Sequence, residues 1–202
     1  MPTRADAPAG LEPELQARLD ALCEEGAERF DRFDREVRSD DFHPFVASDY
    51  RVVLSALAAH RRPGLKFLEW GSAMGVITIM ADILGFDACG IELDEALVRQ
   101  ARELALAHGS AARFSAGSFL PTGYRWGRRG EDDRLGTLGE GESGYLMLGT
   151  PLDDFDVVFG YPWDGEEPIM LDLMREYGRP DALLLIHSTT GVTTWRGGRT
   201  VV

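Results

Sequence analysis

Apolar positions in the first sixty residues are separated by steps of three and four, the spacing of an amphipathic helix. The first run lies between acidic positions and is broken over residues 40–44. A second helix is predicted from a cap at Ser48 to about His60, where residues 62–64 (Arg-Pro-Gly) stop it. The pattern predicts an N-terminal helical extension over residues 1–62 that packs on the rest of the chain. The apolar members of the first run are Leu11, Leu15, Leu19, Leu22, Phe30, Phe33 and Val37.

From residue 65 onward, short apolar runs alternate with helical segments. The predicted strands cover residues 65–70, 87–91, 112–115, 156–160 and 182–187, and the predicted helices cover residues 76–84, 94–107 and 166–177. Strands that alternate with helices at these spacings are typical of a doubly wound, mostly parallel α/β sheet. A short hairpin is predicted around Gly197-Gly198. The sequence therefore predicts an α/β core over residues 63–202.

One segment of this core lacks any such periodicity. Residues 121–151 contain eight glycines and four arginines and interrupt the alternation between the third and fourth predicted strands. An irregular stretch of this length in a compact domain is either a functional loop, such as a lid over a site, or a disordered segment. Both interpretations of this glycine-rich insertion stay open.

Composition narrows the classes of partner and compartment. The 202 residues carry a formal charge of −13 and no basic stripe with interleaved aromatic residues, so a nucleic-acid partner is disfavoured. Cys23 and Cys89 stand apart without ligand-like neighbours, which indicates a reducing compartment and predicts neither a disulfide nor a metal site. No apolar run approaches the length of a membrane span. We therefore expect a soluble, cytoplasmic protein.

The most informative local pattern lies at the end of the first predicted strand. The strand delivers Glu69, and the chain then turns through Gly71 and Gly75 into a helix. Glycine lets a backbone approach a ligand closely, and a helix N-terminus offers free N–H groups. A dinucleotide site needs glycines at relative positions one, three and six, but Ala73 and Val76 occupy the last two. This spacing disfavours a nicotinamide-dependent oxidoreductase, which remains the third hypothesis.

The pattern Glu69-x-Gly71-x-Ala73-x-Gly75 resembles motif I of the class I S-adenosylmethionine (SAM)-dependent methyltransferases, with alanine in place of the middle glycine. Residues 90–94, Gly-Ile-Glu-Leu-Asp, end the second predicted strand and look like the second landmark of that family. The resemblance implies a Rossmann-like fold and SAM as the cofactor.

The same resemblance implies roles for individual residues. Glu92 would chelate the two ribose hydroxyls, and Leu93 would pack against adenine. Glu69 would face the methionine amino group, directly or through water. The remaining cofactor contacts implied are the loop residues Gly71, Ser72, Ala73 and Gly75, with the glycines admitting the cofactor, and Ser118 at the adenine edge.

The end of the fourth predicted strand suggests where the methyl acceptor lies. Residues 160–164, Gly-Tyr-Pro-Trp-Asp, resemble the Asn/Asp-Pro-Pro-aromatic motif of methyltransferases that act on planar amino groups. Gly160 replaces the residue that holds the amine, and the chain contains no asparagine, so methylation of the exocyclic amine of a base is not supported. Trp163 and Tyr161 are the predicted substrate contacts.

Methyl transfer depends mainly on alignment, and a base helps when the acceptor is a hydroxyl or a protonated amine. The candidate bases are Tyr161, Asp164, Glu166 and His187, all at predicted strand ends. Asp164 and Glu166 are also explained as acids in the first turn of a helix, and His187 as a structural histidine. His43 belongs either to a gate over the cofactor or to a turn between helices.

The leading hypothesis is a SAM-dependent methyltransferase acting on a small-molecule or protein side-chain acceptor, without a metal. The alternative is a non-catalytic module of the same fold, which uses its N-terminal helix to dock a partner or to form a homodimer. The apolar stripe of that helix motivates this alternative, although packing on the chain's own core is the commoner use of such a stripe.

Overall fold

The strands form one sheet whose spatial order differs from the chain order. The computed structural model describes residues 10–37, 45–125, 141–163 and 165–201. In these ranges, seven strands lie in the order β3-β2-β1-β4-β5-β6-β7, with β1 to β5 parallel and β6 and β7 antiparallel to their neighbours. The strands are β1 (Lys66–Trp70), β2 (Asp87–Glu92), β3 (Arg113–Ala116), β4 (Val157–Gly160), β5 (Leu183–Ser188), β6 (Gly191–Arg196) and β7 (Arg199–Val201).

Helices connect these strands and precede the first of them. They are α1 (Pro13–Glu36), α2 (Tyr50–His60), α3 (Val76–Ile83), α4 (Glu95–Ala107), α5 (Gly144–Leu148) and α6 (Glu167–Tyr177), and residues 152–154 form a 3₁₀ turn. Every predicted helix and strand is present, with ends within two residues of the prediction. The doubly wound, mostly parallel α/β fold with an N-terminal helical extension is therefore confirmed.

The alternation of side chains along the strands divides the core into two layers. Phe67, Ala88 and Phe159 face α1 to α4, and Leu68, Cys89 and Val158 face α5 and α6. Glu69, Glu92 and His187 follow the same alternation near the carboxyl ends of their strands, so they belong to the face of α1 to α4. Strand parity thus assigns the candidate site residues to one side of the sheet.

Short polar side chains define where the helices begin. Asp49, rather than the predicted Ser48, caps α2 by accepting hydrogen bonds from the N–H groups of Arg51 and Val52 at 3.0 and 3.2 Å. Asp94 caps α4 by accepting from the N–H of Ala96 at 2.6 Å. Each cap satisfies N–H groups that a helix leaves unpaired in its first turn.

The apolar stripe of α1 packs inside the chain itself. Leu19 and Leu22 are fully buried in the layer that contains α2, α3 and α4, and Phe33 packs with Met74 and Leu97. The approach is close at Gly26, where a Cβ atom would lie 2.7 Å from Cγ2 of Val76. Because its own core covers most of the stripe, this stripe no longer motivates a homodimer through α1 or a docking helix.

Of the predicted irregular insertion over residues 121–151, residues 126–140 lie outside the described residues, whereas the end at residues 141–151 contains regular structure. Helix α5 lies within it, and Tyr145 on this helix accepts a 2.7 Å hydrogen bond from Nε1 of Trp70. Ser143 forms a parallel bridge with Ser118. Residues 141–151 therefore belong to the folded core, and helix α5 is too short to leave a periodic signal.

The predicted hairpin is confirmed at the sheet edge. Strands β6 and β7 pair through Trp195 and Thr200, and the turn between them contains Gly197 and Gly198, both with positive φ. None of the helices in the described ranges combines the length and apolarity that crossing a membrane requires.

Candidate functional site

A cavity of about 870 Å³ opens at the carboxyl ends of β1, β2, β4 and β5, where the strand order reverses between β1 and β4. Ligands bind at this place in open α/β sheets. The volume lies in the upper part of the range of about 300–1,000 Å³ that is usual for ligand pockets. The cavity brings together most of the predicted site residues: Glu69, Gly71, Ser72, Ala73, Glu92, Leu93, Tyr161, Trp163 and His187.

Glu69 is the penultimate residue of β1, and its buried carboxyl group lies at the N-terminus of α3. Its Oε2 atom accepts hydrogen bonds from the backbone N–H of Thr78 at 2.9 Å and from the hydroxyl of Thr78. Burial raises the pKa of Glu69 to about 8, although the bonds from Thr78 lower it and the charge of Glu92 adds to the rise. Glu69 therefore occupies the position at which a helix N-terminus would otherwise receive an anionic ligand.

Glu92 ends β2, and its carboxylate links the β1–α3 loop to the β2–α4 loop through hydrogen bonds. Its Oε2 atom accepts from the N–H of Ala73 at 2.8 Å, and its Oε1 atom accepts from the N–H of Asp94 at 3.0 Å. Burial raises the pKa of Glu92, and the backbone bonds offset part of this rise. A carboxylate offers about four lone-pair positions, so each oxygen can accept a second hydrogen bond from a ligand.

The loop between β1 and α3 uses most of its own N–H groups. Gly71 and Ser72 both donate to the carbonyl of Ile91 at 2.9 Å, and Gly75 donates to the carbonyl of Ser72 at 2.7 Å. With the N–H of Ala73 on Glu92, these bonds leave little of the loop backbone free for a phosphate. Ala73 has φ 45°, so the alanine keeps the left-handed conformation that favours glycine.

Gly75, whose predicted role is to admit the cofactor, is not among the residues that line the cavity. It has φ 78°, and a Cβ atom there would lie 2.6 Å from the ring of Phe114 and 2.8 Å from Cβ of Ala101. Glycine is therefore required at this position so that the start of α3 can pack on β3 and α4. Gly71, with φ 69°, does line the cavity.

The two predicted serines differ in their surroundings. Ser72 lines the cavity, and its buried Oγ atom has no hydrogen-bond partner. Ser118 does not line the cavity: its hydroxyl accepts from the N–H of Leu120 at 3.1 Å, and its N–H donates to the carbonyl of Glu142 at 2.8 Å. This pairing holds Ser118 against residues 142–144, and its predicted place at the adenine edge stays a prediction.

Tyr161 and His187 form the opposite wall of the cavity. Their ring centroids are 4.5 Å apart at an interplanar angle of 64°. His187 is buried and its Nδ1 atom has no hydrogen-bond partner. Burial lowers the pKa of His187, and the charge of Asp49 partly offsets this, so the neutral imidazole is favoured near pH 7.

The remaining residues after β4 have separate positions. Trp163 lines the cavity beside Pro162, and its N–H donates to Oε2 of Glu166 at 2.8 Å. Glu166 is buried and does not line the cavity, which supports its alternative explanation as an acid at the start of α6. Asp164 lies outside the described residues, as does His43.

The N-terminal extension supplies cavity residues that the motif comparison missed. Phe45, Val46, Ala47, Ser48 and Tyr50 all line the cavity. A signal for Tyr50 was present, because Tyr50, Val53, Leu54 and Leu57 follow the spacing of a buried helix face. As the first member of this stripe, Tyr50 lies at the N-terminal end of α2, and that end borders the cavity.

The charge of the cavity wall is negative. Its acidic members are Glu69, Glu92, Asp94 and Glu167, and among the described lining residues there is neither lysine nor arginine. Across the described ranges, no group of three or more His, Cys, Asp or Glu residues could hold a metal ion. The cavity therefore suits a neutral or cationic ligand and opposes a phosphate group.

Fold and site together define a Rossmann-like α/β protein with an acidic, largely apolar ligand cavity at the switch point. No known family profile matches the chain. The chain is similar to the ribosomal protein L11 methyltransferase of Thermus thermophilus, with 42% identity over 76 residues, which cover 36% of this chain and 30% of that protein. The matched segment thus spans about a third of the length of that relative.

Solved structures with a similar fold have names of the same kind. A SAM-dependent methyltransferase from Thiobacillus denitrificans, in complex with S-adenosyl-L-homocysteine, shows a TM-score of 0.46 and 20% identity over 78% of this chain and 53% of that chain. An RNA methyltransferase from Salinibacter ruber, with the same ligand, shows a TM-score of 0.46 and 19% identity over 67% of this chain and 74% of that chain. At these TM-scores the likeness carries no functional argument.

Proposed function

We propose that this chain is a SAM-dependent methyltransferase. The observation that carries the proposal is the pair of carboxylates at the ends of the adjacent strands β1 and β2, in a cavity without a described basic residue. Glu69 fills the N-terminus of α3 and would exclude the pyrophosphate of a dinucleotide from it. SAM has no phosphate and carries an ammonium, a ribose diol and a sulfonium, so its charge fits this wall.

The chain offers a partner for each part of the cofactor. Glu69 accepts a hydrogen bond from the ammonium, and Glu92 uses its remaining lone pairs for the ribose hydroxyls. Leu93, which is 37% exposed, provides an apolar surface for adenine. The unpaired hydroxyl of Ser72 is an unsatisfied buried group that a polar ligand would satisfy. When bound, SAM supplies an electrophilic methyl group on its sulfonium.

The acceptor end lies at Tyr161, Trp163 and His187. Trp163 and Tyr161 contact the acceptor and exclude water from it, and the neutral imidazole of His187 takes the proton that an amine or hydroxyl acceptor releases. The open volume next to these residues admits a small molecule or a protein side chain. Asp164 keeps its predicted role as an alternative base.

The 42% identity to the L11 methyltransferase segment supports the reaction class and favours a protein acceptor within it. The match covers 30% of that protein, so it does not support a likeness between this chain and the whole of it. The net charge of −13 argues against a nucleic-acid acceptor, but the names of similar proteins do not support that exclusion, because one of them is an RNA methyltransferase.

Calorimetric titration with S-adenosylhomocysteine tests the proposal. We expect saturable binding by the wild-type chain and binding about 10-fold or more weaker in Glu92→Gln, since a hydrogen bond to a charged group contributes about 1.5–3 kcal/mol. Glu95→Gln is the matched control, because Glu95 lies three residues further on and is exposed. Folded wild-type protein that does not bind S-adenosylhomocysteine would exclude the proposed function.

A further inference from the structure

The amino-acid end of the proposed cofactor carries a carboxylate as well as an ammonium, and the loop that meets it offers few donors for that carboxylate. The N–H groups of Gly71, Ser72, Ala73, Gly75 and Thr78 all donate within the chain. No lysine or arginine occurs among the described lining residues. The side-chain donors left on this wall are therefore uncharged groups such as hydroxyls.

Tyr50 brings a phenol hydroxyl to the cavity wall at the start of α3. As the first residue of α2 it heads the stripe that continues through Val53, Leu54 and Leu57 into the core, so its ring is fixed by packing. The Cβ position of Gly26 in α1 is 3.3 Å from Cε2 of Tyr50 and 2.7 Å from Cγ2 of Val76. The ring therefore lies beside the first residue of α3, immediately after the β1–α3 loop.

Glu69 and Tyr50 are close enough to interact electrically. Burial raises the pKa of the Tyr50 phenol, and the charge of Glu69 raises it further. The phenol thus keeps its proton throughout the pH range in which proteins are studied and acts as a donor. Tyr50 and Glu69 both line the cavity, which places a neutral donor beside a carboxylate acceptor at the N-terminus of α3.

Building on the proposed function, we infer that the hydroxyl of Tyr50 donates a hydrogen bond to the carboxylate of the cofactor's amino-acid group, while Glu69 accepts one from its ammonium. The zwitterion is then matched by one donor and one acceptor without any basic side chain. The N-terminal extension becomes part of the cofactor site, because Tyr50 is held by both α1 and α2.

The test compares Tyr50→Phe with the wild-type chain in calorimetric titrations against two ligands. One is S-adenosylhomocysteine, and the other is its decarboxylated analogue, which keeps the ammonium and lacks the carboxylate. We expect Tyr50→Phe to weaken S-adenosylhomocysteine binding by about 10-fold to 100-fold, because the lost hydrogen bond has a charged acceptor. Binding of the decarboxylated analogue should be unchanged.

Tyr124→Phe is the matched control, because its hydroxyl donates to Asp172 at 3.0 Å on the other side of the sheet, and it should bind both ligands as the wild type does. Equal binding of S-adenosylhomocysteine by Tyr50→Phe and the wild type, or an equal loss for both ligands, would overturn the inference. A wild-type chain that binds neither ligand would instead refute the proposed function.

A crystal structure of the wild-type chain with S-adenosylhomocysteine decides the same point without a variant. The inference requires the Tyr50 hydroxyl within hydrogen-bond distance of the ligand carboxylate, at most about 3.2 Å. A carboxylate held only by backbone N–H groups or by other hydroxyls would overturn it.

Discussion

Glu69 lies where dinucleotide-binding folds receive a phosphate, and its own carboxyl group fills that position. The bond from the N–H of Thr78 and its place in the cavity show that the residue both completes the start of α3 and faces the ligand space. Burial without a basic partner raises its pKa to about 8. Ionisation of the buried Glu69 carboxyl group therefore changes the stability of the fold.

Replacing Glu69 by glutamine should reduce the pH dependence of stability. The folded pKa of about 8 lies above the ordinary value of 4.5, so the stabilising contribution is complete below about pH 4.5 and is lost as the pH rises through 8. Between pH 6 and 9 the wild type should lose about 3 kcal/mol that Glu69→Gln does not lose. Thermal melts of both chains across this range measure the difference.

The exposed Glu103→Gln in α4 is the control for this comparison, and it should follow the wild-type pH profile. A Glu69→Gln profile parallel to that of the wild type would mean that Glu69 is ionised in the folded chain well below pH 8.

A comparison of alanine substitutions at Gly64 and Gly75 distinguishes the cost of backbone strain from the cost of a steric clash. Gly64 and Gly75 have nearly the same φ, 79° and 78°, but only Gly75 has neighbours within 4 Å of a Cβ position. Gly64→Ala should cost about 1–2 kcal/mol, the usual penalty of a left-handed residue with a side chain. Gly75→Ala should cost about 1–3 kcal/mol more, because its Cβ meets Phe114. Urea unfolding measures both, and equal losses would contradict the packing role of Gly75.

At the scale of elements, helix and strand limits were predictable because local periodicity and capping residues fix them. The helix within residues 141–151 was not predictable from the sequence. Helix α5 is short and is held by contacts with distant parts of the chain, such as the hydrogen bond between Trp70 and Tyr145. The partners of Ser118 in residues 142–144 were not predictable for the same reason. Local patterns cannot show which remote backbone will satisfy a given N–H.

Helix α5 should contribute to stability through Tyr145. In Tyr145→Phe the indole N–H of Trp70 loses its partner in a buried environment, which costs about 1–3 kcal/mol. Leu146→Ala on the same helix removes a side chain that is 69% exposed, so it should change the free energy of unfolding by at most about 0.5 kcal/mol. Chemical denaturation of both variants tests the difference, and equal effects would show that α5 does not dock on the core as described.

At the scale of the whole molecule, strand parity explains why residues from four strands meet. Four residues lie at, or one residue from, the carboxyl ends of β1, β2, β4 and β5 and share the strand parity of the layer of α1 to α4: Glu69, Glu92, Tyr161 and His187. The motif comparison identified these four residues because each is close to a strand end. It missed Tyr50, which reaches the cavity only because α1 and α2 pack beside α3.

The choice between a sulfonium cofactor and a dinucleotide is the central claim, and one titration tests it most directly. The wild-type chain is titrated calorimetrically with S-adenosylhomocysteine and, in a separate experiment under the same conditions, with NADH. The acidic cavity and the position of Glu69 predict saturable binding of S-adenosylhomocysteine, with one ligand per chain, and no binding of NADH. Binding of NADH together with no binding of S-adenosylhomocysteine would contradict the account.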